Sequence, residues 1–195
     1  MANHWVMEIH DRLNNNETSS EMQRWSKQSI YKVPACIKDL NRKAYQPQVV
    51  SFGPFHHGDP DVRPMEEHKL RALVHFLKRA KKQLDEFVAA MKEVVPQLQD
   101  AYQVLDEQWK KDKERFLQLM ILDGCFMLEI MRVATGASSD YAFNDPIFSC
   151  HGMLYTVPYI KRDMMMIENQ LPLLALDRLV SVETSKPKVK YDDQL

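Results

Sequence analysis

Two adjacent histidines, His56 and His57, stand in the stretch VVSFGPFHHGD, between Gly53-Pro54 and Gly58-Asp59. Imidazoles ligate metals and move protons near neutral pH, so metal binding and acid–base work are the first chemistries to test. Neighbouring residues point in divergent directions, and one ion held by both would need ligands from elsewhere. The nearest histidines, His68 and His75, lie seven apart on one helical face and lack the i, i+4 spacing of a zinc-binding helix. The expected reading is therefore a turn, with imidazoles that cap backbone groups or meet solvent and bind no metal.

Asp123 is the second candidate. At 100° per residue it falls in the middle of a face carrying Phe116, Leu119, Met120, Phe126, Met127 and Ile130. The opposite, charged strip holds Glu114, Gln118, Glu129 and Arg132. A carboxylate among apolar side chains must find a cation, accept backbone N–H bonds or stay protonated. Gly124 beside it allows another backbone to come close. Glu168, Asn169 and Gln170 precede Pro172 at a helix break, where backbone groups need polar caps, and they are the expected partners of Asp123. A structural hydrogen-bond hub is favoured over a catalytic carboxylate, because no second acid, base or nucleophile is visibly paired with it.

Other chemistries lack their signatures. The chain has no G-x-S-x-G elbow, no P-loop and no G-x-G-x-x-G, and its five glycines leave little for a phosphate-cradling loop. Cys36, Cys125 and Cys150 are odd in number and far apart, which suits neither a disulfide framework nor a zinc knuckle and favours a reducing compartment. A net charge of −1 names no nucleic acid or anionic membrane as partner. The run Lys78-Arg79-Ala80-Lys81-Lys82 reads as a solvated helix end, and the methionines of DMMMIENQ as a helix buried on most sides.

The elements that must hold these residues are helices. His4 to Leu13 carries Trp5, Ile9 and Leu13 on one side, followed by the polar run NNNETSSE and a short helix through Met22 and Trp25. IYKVP approaches in extended form a helix started by Pro34, and Val49 onward opens as a short strand. A helix from Pro64 buries Met65, Leu70, Leu73, Val74 and Leu77, with Glu66 and Glu67 in its first turn. Leu84 to Leu105 is a second, kinked or split by Pro96. Lys110 to Thr135 is the central third. Its apolar run fails as a membrane span because of Asp123, Glu129 and Arg132. The loop after Gly136 continues through NDPIFSCHG, a helix begins near Pro158, and another restarts at Pro172. The fold class is mainly α, with short extended segments and long loops. Residues 1–28 form an N-terminal helix and linker, 29–182 the main helical domain and 183–195 a flexible tail.

Taken in order, IYKVP, SFGPFHHGD with MEEHK after it, LDGCFMLEIMR and RDMMMIENQLPLLALDRL resemble the signatures of the plant domain-of-unknown-function 247 family, also called UPF0481. The resemblance extends to the HWV opening and marks Pro54, His56, His57, Glu67, Asp123, Gly124, Glu168, Asn169, Gln170 and Pro172 as structural motif positions. It implies a mostly helical, uncharacterised plant protein whose relatives are about twice this long and carry a membrane anchor near the C-terminus. Some grass relatives are implicated in self-incompatibility. The chain stops soon after E-N-Q-L-P, so it is expected to lack the second half and anchor, to be soluble and intracellular as it stands, and to self-associate through uncovered apolar surface. No catalytic residue carries over, and no cofactor is expected. The implied function is non-enzymatic recognition or signalling through an unknown protein partner, without nucleic acid or an identified small-molecule substrate. The alternative is an enzyme around Asp123 and Glu168.

Overall fold

The structure, a computed structural model, describes residues 4–14, 21–22, 25–137 and 140–185. The polar run after the first helix and most of the C-terminal tail lie outside these residues. Among the described residues the fold is helical, and its only pairing of extended backbone is an isolated parallel bridge between Ile30 and Tyr102. The first helices are α1 (His4–Asn14), α2 (Ala35–Lys38), α3 (Arg42–Tyr45) and α4 (Met65–Ala80). Then come α5 (Leu84–Lys92), α6 (Val95–Asp100), α7 (Glu107–Lys111) and α8 (Lys113–Ala134). The last are α9 (Cys150–Tyr155), α10 (Val157–Met164) and α11 (Leu173–Thr184).

Local chemistry sets these boundaries. Pro96 does not kink a continuous helix but sits in the first turn of α6, after a break at Glu93 and Val94. The expected single helix from Lys110 is divided at Asp112, whose side chain accepts the Arg115 N–H at 3.0 Å and caps α8. Cys150–Tyr155, expected as loop, is helical because Ser149 caps it through the Gly152 N–H. α10 stops at Met164, so the methionine run is not a helix buried on most sides: Met166 is buried while Met165 and Ile167 are exposed. α11 follows Pro172 and continues through Thr184, into the stretch expected to be tail.

α8 lies at the centre, packed against α4, α5, α7 and α11. Phe116, Met120, Phe126 and Ile130 on it have no more than a trace of exposed surface. The stripe of α4 keeps Met65 and Leu73 of the expected set, with Leu77 half-buried. Met65, Lys69, Ala72, Leu73 and Phe76 are buried, whereas Leu70 and Val74 are exposed. Gly124 admits α11 rather than a bare backbone: a Cβ there would stand 2.4 Å from Leu179 Cδ1. Among the described residues no helix is long and apolar enough to cross a membrane.

Candidate functional site

Val49 to Gly53 runs through the interior in neither helix nor strand, and buried backbone groups need partners. Side chains supply them. Asp163 at the end of α10 accepts the N–H groups of Gln48, Val49 and Val50 on one carboxylate oxygen, at 2.7–3.1 Å. Asn169 accepts the Phe52 N–H at 2.6 Å and donates to the Val50 carbonyl at 3.0 Å. Asp123 Oδ2 accepts the Gly53 N–H at 2.8 Å. The expected strand is thus irregular backbone held by carboxylates and a carboxamide in place of a sheet.

Lys69 closes this arrangement. Its side chain and that of Asp123 are both fully buried, with Nζ 2.6 Å from Oδ1. The same ammonium donates to the Ser51 carbonyl and to Glu66, each at 2.7 Å, so its three hydrogens have three acceptors. Burial raises the Asp123 carboxyl to about 6, against the opposing pull of Lys69 and the Gly53 N–H. Asp123 is therefore a hub, but its partners are Lys69 and a backbone amide rather than the Glu168–Gln170 run.

That run holds other groups nearby. Glu168 accepts the Val33 N–H and the Lys38 ammonium, and its Oε2 lies 3.6 Å from His56 Nε2. Gln170 donates to the carbonyls of Met164 and Met166 and receives the Tyr102 hydroxyl on its own carbonyl at 3.1 Å. Pro172 is buried, and its extended conformation leads into α11. Pro54 is buried in the turn, whereas Glu67 is exposed on α4 and its neighbour Glu66 makes the contact to Lys69.

The histidines do sit in a turn, both partly buried. His56 Nδ1 meets Asp59 at 3.2 Å, and His57 lies edge-on to Trp109 at 5.4 Å. Burial lowers the pKa of His57. Among the described residues no cluster of three or more His, Cys, Asp or Glu side chains is placed to hold a metal ion.

Two features went unread in the sequence. Lys69 is one, although Met65, Lys69, Ala72 and Phe76 follow alternating four- and three-residue steps on one face, a spacing that places the lysine on the buried stripe. Glu129 is the other. It falls on the charged strip of α8, yet it is fully buried beneath Tyr141, Arg79 and Arg132. Glu129 accepts from Arg79, Arg132 and the Tyr141 hydroxyl, so the basic run at the end of α4 is partly drawn inward. His75 stacks on Tyr141 at 4.0 Å and bonds Asp140.

These polar groups are enclosed. An open hollow lies elsewhere, between α4, α5 and α8, with a volume of about 300 Å³. Its walls are Leu70, Leu73, Leu84, Val88, Leu117 and Ile121, and Lys92 and Glu114 are among the exposed polar residues beside them.

Residues 30–194 match the DUF247 family, described as a plant protein of unknown function. The UPF0481 protein At3g47200 of Arabidopsis thaliana is 36% identical over 150 residues, covering 77% of this chain and 30% of that protein. The putative UPF0481 protein At3g02645 of the same plant is 25% identical over 185 residues, covering 92% and 32% respectively. The chain thus spans about a third of the length of these relatives. No solved structure matches it.

Proposed function

We propose that this chain, which belongs to the DUF247 family of plant proteins, acts as a recognition module that binds a protein partner and carries out no chemistry of its own. The observation that supports this most is the contrast between its two kinds of site. The carboxylates able to do acid–base work are closed off and occupied by backbone N–H groups and cations, while the open hollow is lined by leucine, valine and isoleucine. Open concave apolar surface suits a partner's side chains. An enzyme built on Asp123 and Glu168 would draw on the raised Asp123 carboxyl, but a substrate has no path to an atom that is fully enclosed.

The test is capture from plant tissue with the full chain as bait, beside a variant carrying Leu70→Asp and Leu84→Asp on the rim of the hollow. Both leucines are exposed, so the charges do not enter the core. A protein partner retained by the wild type and lost from the variant is the expected result. Equal capture by both chains, or turnover of a small molecule that vanishes with Asp123→Asn, would overturn the reading.

A further inference from the structure

Between Val33 and Pro47 the chain makes an excursion that contributes nothing to the core. It carries α2 and α3, no residue from Pro34 to Gln46 is buried, and Ile37 and Leu40 are 41% and 85% exposed. Its two ends are fixed by the Val33 N–H on Glu168 Oε1 and the Gln48 N–H on Asp163. Among the described residues, the run between them has one hydrogen-bonded ion pair to the rest of the chain, from Lys38 to Glu168 Oε2. A segment with few apolar contacts and a single tie belongs to the part of a fold that opens at low cost.

That tie has a competitor. His56 Nε2 lies 3.6 Å from the same Glu168 oxygen, and it is buried without a hydrogen-bond partner. His56 Nδ1 faces Asp59 at 3.2 Å, so the ring is met by a carboxylate at each nitrogen, with Lys38 across one of them. A neutral imidazole carrying its hydrogen on Nδ1, toward Asp59, presents a bare nitrogen to Glu168 and forms no bond there. A protonated ring donates at both nitrogens. The imidazolium and the Lys38 ammonium are then two like charges drawn to one carboxylate oxygen, and the Glu168 side chain, only 3% exposed, needs one of them.

We propose that residues 34–46 form a strap, latched by Lys38 and released when a protonated His56 takes over Glu168. The sign follows from linkage. His56 holds its proton more tightly once the ammonium has left, so acidification shifts the strap toward its open state. Release frees α2 with Ile37 and Leu40, and the surface offered by this end of the molecule changes with pH. The Asp123 hub is held separately, by Lys69 and the Gly53 N–H.

The strap carries its own reporter position in the exposed Cys36; Cys125 is buried, and Cys150, also exposed, is removed as Cys150→Ser. A nitroxide on Cys36 of the full chain is followed by electron paramagnetic resonance at about pH 7.5 and about pH 5.5, on either side of the ordinary imidazole range. The mobile fraction should rise roughly threefold or more on acidification. In Lys38→Met it should be high at both pH values, and in His56→Gln low at both. Asp123, whose carboxyl lies at about 6, titrates over the same interval and is untouched by His56→Gln. A pH response that survives His56→Gln therefore overturns the proposal. So does a wild-type label equally mobile at both pH values, or a Lys38→Met strap as immobile as wild type at the higher pH. Amide exchange of α8, corrected for the intrinsic effect of pH, should stay slow throughout. If it speeds up in step with the label, the mobility belongs to unfolding of the whole chain and the strap is not a separate device.

Discussion

Removing one member of the Lys69–Asp123 pair leaves the other charge buried without its counterion, and the Gly53 N–H loses its acceptor as well. We expect Asp123→Ala to destabilise by about 3–5 kcal/mol in urea melts. The double change Lys69→Met with Asp123→Leu should recover part of that loss. It cannot recover all of it, since the Ser51 carbonyl and Gly53 amide remain unpaired. The pH dependence has a definite sign. Asp123 titrates near 6 when folded and near its ordinary 3.8 when unfolded, so its contribution is fully present below about 3.8 and declines as the pH rises through 6. The advantage of wild type over Asp123→Ala should accordingly be larger at pH 5 than at pH 8. A gap that widened toward pH 8 would mean that Lys69 holds the carboxyl below its ordinary value. Asp123 was legible in the sequence because a lone acid interrupts an apolar face. Lys69 was not, because a long basic side chain at a helix surface ordinarily carries its charge to water.

At the scale of elements, helices could be read where an apolar stripe and a proline agreed, as at Pro172 before α11. The division at Asp112 was missed, because the apolar pattern runs on past a cap that only its hydrogen bond to Arg115 reveals. The Val49–Gly53 stretch was misread for a different reason. Its composition suits extended backbone, but composition does not say whether the partners are another strand or the side chains of Asp163 and Asn169. The turn that follows gives a test by contrast. Gly53 has φ +70°, and a Cβ there would stand 2.7 Å from both the Gln170 carbonyl oxygen and the Tyr102 hydroxyl. Gly58 has φ +89° with open space around it. Gly58→Ala should cost only the backbone strain, about 1 kcal/mol, and Gly53→Ala that strain plus a displaced backbone, roughly 2–4 kcal/mol. Thermal melts of the two variants would rank them, and equal losses would show that the contacts at Gly53 relax without penalty.

Across the whole molecule, the mainly helical class followed from the repeated 3.6-residue periodicity, whereas the enclosure of Glu129 depends on a loop that folds over α8 and leaves no periodic trace. The 48–53 segment joins distant parts of the chain, with hydrogen bonds to residues 113–119 positions away. Asn169→Ala should therefore loosen a region far from it in sequence: amide exchange at Val50–Phe52 speeds up, and the melting temperature falls with a loss of about 2 kcal/mol. Unchanged exchange there would mean that neighbouring side chains hold the segment unaided. The same arrangement orders events during synthesis. When the ribosome has made α8, the amides of Gln48, Val49, Val50 and Phe52 still await Asp163 and Asn169. An apolar stretch with unanswered amides is thus exposed on the nascent chain until α10 and the turn after it emerge, which leaves Val49–Gly53 open to non-native pairing during translation.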